Sequence, residues 1–240
     1  MTVDNNVIRL DIETVPLFSS EEEIKKNNPD LFDVWERRYC SKKDEDVSTW
    51  EHYRDKSALS PEFAKIVCIS IGRFQKIVVD KPSWKETIEW FKVKSLRWDE
   101  KEILQQLSET LSHEQFQSWK LWGHNIKWFD ISFIAKRMVM NQIFVPPHLN
   151  AMWKKPREIT HIDTQELRQF GRFVSTSLEL MCLSLGVTSP KTEISWSEVK
   201  DIFYHPTMLE ETKKEYITRY CENDVSATYD CYRNILAYLS

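Results

Sequence analysis

Glycine is scarce in these 240 residues, with only four, and nine prolines complete a chain too poor in both for long flexible linkers or low-complexity segments. No apolar run approaches the ~18 residues that a membrane-crossing helix needs. The first residues, Met-Thr-Val-Asp-Asn-Asn, carry neither a basic stretch nor an apolar one, so export is not expected. There is no internal repeat. The five cysteines (Cys40, Cys68, Cys182, Cys221 and Cys231) are odd in number, scattered and never spaced C-x-x-C. That pattern argues against a disulfide framework or a zinc site and for a reducing cytoplasm. Excess positive charge is missing too. A formal net charge of −4 counts against tight nonspecific binding of duplex DNA, but not against an enzyme that meets one strand end through metal ions.

What is present is ordinary for a globular protein: 41% hydrophobic and 29% charged residues, in a length that suits a single large α/β domain. Ten tryptophans are many, and their rings either stack on bases or pack in the core.

The chain is organised around Leu10-Asp11-Ile12-Glu13-Thr14. Residues 7–10 supply the β-branched, apolar run of a buried strand, and Pro16 stops it. Asp11 and Glu13 are two apart, so an extended backbone sends both carboxylates to one side. Two like charges side by side resist desolvation, and a divalent cation between them removes that penalty. The alternative is an exposed strand end.

Residues 17–60 form a charged, aromatic-studded helical insertion. Ser19-Ser20-Glu21 reads as a helix start, Leu31, Val34, Trp35 and Tyr39 are spaced as a helix face, and residues 50–56 form a further turn or two. The insertion either covers the mouth of a site or is a peripheral excursion. Strands follow at 65–72, 76–80 and 87–93, as an antiparallel meander, and then a helix at 99–111. A short strand at 119–123 turns through His124-Asn125 into a helix at 129–141. Asp130, in the pattern Asn125-x-x-x-Phe129-Asp130, falls at that helix start, where an acid either stabilises the dipole or belongs to a site at the strand-to-helix junction. Another strand end at 161–164, a turn at 165–170 and helices at 177–186 and 195–203 come next, with a lysine, Lys191, on the loop between those two helices. The last helix, 210–239, has a break expected near Glu222-Asn223. Tyr220 and Asp224 are four apart on it, either a hydrogen-bonded surface pair or part of a site.

In order these are D-x-E on a first strand, N-x-x-x-F-D at a helix start and Y-x-x-x-D on a late helix. The set resembles the DEDD superfamily of 3′-to-5′ exonucleases, in the branch whose third motif carries tyrosine. The other branch has histidine five residues before its last aspartate, where this chain has Arg219. The wording is similar to the proofreading exonuclease domain of family-B DNA polymerases and to free-standing bacterial predicted exonucleases related to it. Residues 60–71, 185–191 and 220–229 carry the latter resemblance, while residues 17–60 and Ile194-Ser195-Trp196-Ser197 depart from it.

The resemblance implies a ribonuclease H-like α/β fold, a mixed five-stranded sheet flanked by helices, in one domain spanning 1–240. It implies that Asp11, Glu13, Asp130 and Asp224 hold two divalent cations, Mg²⁺ or Mn²⁺, and that Tyr220 orients the attacking water. Thr14, Asn125 and Phe129 are implied to meet the terminal nucleotides. Lys191 is a further candidate for a phosphate contact, unless it is simply solvated. The expected partner is a single-stranded 3′ end, DNA ahead of RNA, cleaved to nucleoside monophosphates. A domain of this ancestry that binds 3′ ends without cutting is the alternative. No membrane is expected, and a proofreading role would call for a repair or replication partner.

Overall fold

The computed structural model describes residues 6–40, 46–80, 85–169, 174–190 and 194–238. One sheet runs through them, in the order β3-β2-β1-β4-β5. Its strands are β1 (Val7–Pro16), β2 (Ala64–Asp80), β3 (Lys85–Arg97), β4 (Lys120–Gly123) and β5 (Ile162–Asp163). β1 lies at the centre, antiparallel to β2 and parallel to β4, and β4 is parallel to β5. The α/β architecture with a five-stranded mixed sheet is the expected one. Where separate strands were expected at 65–72 and 76–80, β2 is continuous and pairs with β3 from Cys68 to Asp80 in a long hairpin.

Burial of β1 on both faces explains its central place, because each face covers a different layer. Ile8, Leu10 and Ile12 enter the main core, with Ile66 and Ile69 of β2. The other face carries Arg9, Asp11, Glu13 and Val15, and Val15 packs with Ile217, Tyr220 and Cys221 of the last helix.

The helices are α1 (Glu21–Asn27), α2 (Pro29–Tyr39), α3 (Thr49–Lys56), α4 (Glu100–Ser112), α5 (Asp130–Met140), α6 (Thr164–Arg168), α7 (Leu178–Leu185), α8 (Trp196–Phe203) and α9 (Glu210–Ala237). Asp99 caps α4 by accepting from Glu102 N. Ile103, Leu104 and Leu107 of α4 share the main core with Ile131, Phe133, Ile134 and Met138 of α5. Each such buried side chain is worth roughly 1.5–3 kcal/mol. The expected turn at 165–170 is instead α6, since Asp163 accepts from Gln165 N and starts a helical turn. α9 runs unbroken through Glu222-Asn223. There Ser226 Oγ donates back to the Glu222 carbonyl, so a polar dipeptide inside the helix does not end it.

In the insertion, α1 to α3 close over their own aromatic cluster of Phe32, Trp35, Tyr53 and Phe63. Phe32 takes the inward place expected for Val34, which is exposed. Among the described residues, no helix is long and apolar enough to cross a membrane.

Candidate active site

β1 delivers Asp11 and Glu13 to the face that α9 covers. The register between β1 and β2 slips after Glu13, which pairs with Cys68 while Thr14 pairs with Ile66. Val67 is thus an extra residue, and such a bulge bends the strand locally. Glu13 is only 2% exposed.

Asp130 arrives from the β4–α5 junction. A Cβ on Gly123, at the end of β4, would lie 2.7 Å from the Leu10 carbonyl oxygen, so only glycine lets the strand end approach β1 this closely. Asn125 then takes a left-handed φ of 61°, which asparagine tolerates better than most residues. Its carbonyl accepts from Trp128 N and Phe129 N, both at 3.1 Å. Asp163 of β5 ties the turn down, accepting from Asn125 N (2.9 Å), Lys127 N (3.1 Å) and Gln165 N (2.9 Å). Asp130 follows as the first residue of α5, 4% exposed, with a hydrogen bond from the Ile12 backbone.

α9 brings the third group. Tyr220 and Asp224 are one turn apart, and Tyr220 is 5% exposed. Beside it, the Cys221 thiol lies 3.5 Å from both the main-chain oxygen and Oδ2 of Asp11. A polar chain fixes the helix on the sheet: Ser70 and Ser95 hydroxyls meet at 2.9 Å, and Ser95 donates to Glu222 at 2.6 Å.

The four acids act on one another electrostatically. Burial raises the Asp11 carboxyl well above the usual range, and Asp224 and Asp130 raise it further. Glu13 is raised likewise by burial, Asp11 and Asp224. Asp130 is pushed up to about 7, by burial first and by Asp163 and Asp224 after it. For Asp11 and Glu13 the charges acting most strongly are those of the other acids of the set, whereas for Asp130 Asp163 acts ahead of Asp224. Ligand atoms of Asp11, Glu13 and Cys221 lie within 4.8 Å of each other. Hard oxygen donors crowded in this way suit a divalent cation such as Mg²⁺ or Mn²⁺, whose charge would let them ionise together. The Cys221 thiol is itself held well above its usual range by burial, so it stays protonated beside Asp11. The Tyr220 phenol is also raised, by burial and then by Asp224, Glu13 and Asp11. At neutral pH it stays protonated and can donate a hydrogen bond.

The structure therefore gathers Asp11, Glu13, Asp130, Asp224 and Tyr220. Thr14 is buried beside them, its hydroxyl donating to the Ala58 carbonyl at 2.7 Å. Phe129 packs on Phe133 at 5.3 Å between ring centres and also borders an open groove. Lys191 lies outside the described residues.

Sequence reasoning passed over Asp163 and Cys221. Asp163-Thr164-Gln165-Glu166 has the spacing of a helix-capping segment, which was a usable signal. It also passed over Arg9, 1% exposed, whose guanidinium sits 4.3–5.2 Å from the rings of Trp122, Phe74, Tyr229 and Phe91. Burial lowers this guanidinium to about 10. No local pattern announces that cage.

Residues 56–238 match a family model described as a predicted 3′-5′ exonuclease related to the exonuclease domain of PolB. No curated protein matches the chain. The matched segment includes Asp130, Tyr220 and Asp224 but begins after β1 and after α1 and α2. Asp11 and Glu13 join the site through the sheet.

Proposed function

The chain belongs to the family of predicted 3′-5′ exonucleases related to the PolB exonuclease domain, and from that premise we propose a metal-dependent exonuclease that releases nucleoside monophosphates from single-stranded DNA 3′ ends. The observation that carries the metal dependence is the convergence of four mutually repelling carboxylates, from β1, α5 and α9, in one cluster where Glu13 and Asp130 are buried and Asp11 and Asp224 half-buried. In this reading Asp11, Glu13, Asp130 and Asp224 hold two divalent cations, Mg²⁺ or Mn²⁺. Bound there, the cations supply the positive charge that makes water nucleophilic at neutral pH and neutralises the phosphate and leaving oxygen.

The residues do the rest. Asp11 is acted on by both Asp224 and Asp130, and the Cys221 thiol holds one of its oxygens. The Tyr220 phenol donates a hydrogen bond that orients the attacking water in line with the phosphorus–O3′ bond. That bond breaks as the water oxygen joins phosphorus, one water proton ends on the leaving O3′, and the shortened strand leaves with a new 3′-hydroxyl while the terminal nucleotide departs as its 5′-monophosphate. Phe129 supports Asp130 and flanks the terminal nucleotide, and Thr14 meets the 3′-hydroxyl through its backbone, its own hydroxyl proton being committed to Ala58. Asn125 shapes the turn that aims Asp130, and Lys191 contacts a phosphate. We read residues 1–240 as one exonuclease domain with a helical insertion. Five buried thiols fit a reducing cytoplasm.

The test is digestion of matched end-labelled DNA and RNA oligonucleotides with Mg²⁺, Mn²⁺ or EDTA. Laddering from the 3′ end of DNA that needs metal and stops in Asp11→Ala is expected. Cleavage restricted to RNA overturns the substrate, and binding without any cleavage overturns the enzyme.

A further inference from the structure

Beside the acid cluster lies an open groove. Arg38 and Tyr39, at the end of α2, make one wall, and Trp128, Phe129 and Lys136 make the other. The floor is Leu59 to Phe63. Two links join groove to pocket. Phe129 immediately precedes Asp130, and Leu59 follows Ala58, whose carbonyl holds the Thr14 hydroxyl next to Glu13.

The groove has the chemistry of a single-stranded polynucleotide track, which combines cations with exposed aromatic faces. Trp128 is 52% exposed despite its size. The Arg38 guanidinium lies 5.5 Å from the Tyr39 ring centre and is open to solvent. Lys136 pairs with Glu62 at 3.2 Å, but both side chains are about half exposed, so the pair yields readily to a phosphate. The α2 wall is also well anchored. Trp35 stacks on Tyr39 at 4.5 Å and meets Phe63 edge-on at 5.0 Å, so the helix end bearing Arg38 is tied to the residue just before β2.

We propose that this groove binds the nucleotides on the 5′ side of the scissile bond, and that the insertion makes one jaw of the clamp. The assignment rests on the exonuclease reading for the position of the 3′ end. It gives Arg38 and Lys136 to phosphates and Trp128 to a base, and the first of these comes from outside the segment that matches the family.

The test uses fluorescent oligothymidylates of about two to about eight nucleotides, with affinity followed by anisotropy in Ca²⁺. In the unaltered protein, affinity rises about ten-fold or more over that range. In Arg38→Ala/Trp128→Ala the rise is lost, and Arg38→Lys and Trp128→Tyr each recover part of it. A length dependence identical in the unaltered protein and the folded double variant overturns the proposal. Should Trp128→Ala fail to fold, Arg38→Glu alone decides in the same way. Hydrolysis of the thymidine 5′-p-nitrophenyl phosphodiester, too short to enter the groove, reports on the acid pocket separately. Ester cleavage without a groove effect sinks the groove alone. A groove effect without cleavage of ester or oligonucleotide sinks the exonuclease reading alone.

Discussion

Tyr220 and the four acids set what single residues can do here. With its phenol kept protonated by burial and by Asp224, Tyr220 can donate a hydrogen bond near neutral pH but cannot serve as a base. Tyr220→Phe is expected to lower kcat by roughly one to three decades with KM nearly unchanged. The alkaline limb of the rate profile should be the same in both proteins, and a limb that disappears in the variant would make the phenol a base. The carboxylates predict a dependence of stability on pH. Burial pushes the Asp130 carboxyl up to about 7 from its ordinary 3.8, so the folded state holds an extra proton between those values. Without metal, the stability it contributes is full below the lower value and lost as pH rises through the upper one. Asp11 and Glu13, raised for the same reasons, add to that slope. In EDTA the melting temperature should fall by roughly 5 °C or more from pH 5 to pH 8. Saturating Mg²⁺ or Mn²⁺ should remove the fall, since bound cations favour the ionised acids. Asp130→Asn should flatten the metal-free curve.

Elements act on the site by holding these residues still. Asp163 of β5 takes three backbone N–H groups, two of them from the turn ahead of α5. Asp163→Ala leaves those donors buried and is expected to cost about 2–4 kcal/mol in urea unfolding and to lower kcat with it. Removal of a surface acid would do neither. α5 is held further by Arg137, whose Nε donates to Glu100 of α4 at 2.8 Å and whose Nη1 donates to the Pro61 carbonyl at 2.9 Å. Glu100 also accepts from Ile66 N, so one buried ion pair joins α4, α5, β2 and the groove floor. Arg137→Met strands the Glu100 charge and should destabilise by roughly 3–5 kcal/mol, whereas Arg137→Met with Glu100→Gln should recover much of that loss.

The whole molecule carries net negative charge and yet acts on a polyanion. In the proposed reading, cations bound at the acid cluster and the side chains of Arg38 and Lys136 supply the positive charge that the strand meets. Each phosphate neutralised on a single strand adds ~0.7 to the slope of log affinity against log salt. Arg38 and Lys136 together predict a slope of about −1 to −2. A slope steeper than about −4 would mean a basic surface elsewhere that this account leaves out.

What the sequence determined by itself was local. A strand sends residues two apart to one side, a helix brings residues four apart together, and capping residues start helices; these rules found Asp11 with Glu13, Tyr220 with Asp224, and Ser20 ahead of α1. The ordered motifs carried the family and the mixed sheet with them. Tertiary structure alone decided the rest. It made β2 one strand, because pairing with β3 continues across the gap in the strand pattern. It turned Phe32 inward instead of Val34, because the partner of that face is Phe63, far along the chain. It placed Asp163 under the turn before Asp130 and gathered acids from β1, α5 and α9 into one pocket. Period and capping act over a few residues, whereas burial and charge act between whichever residues the fold brings together, however far apart they lie in the chain.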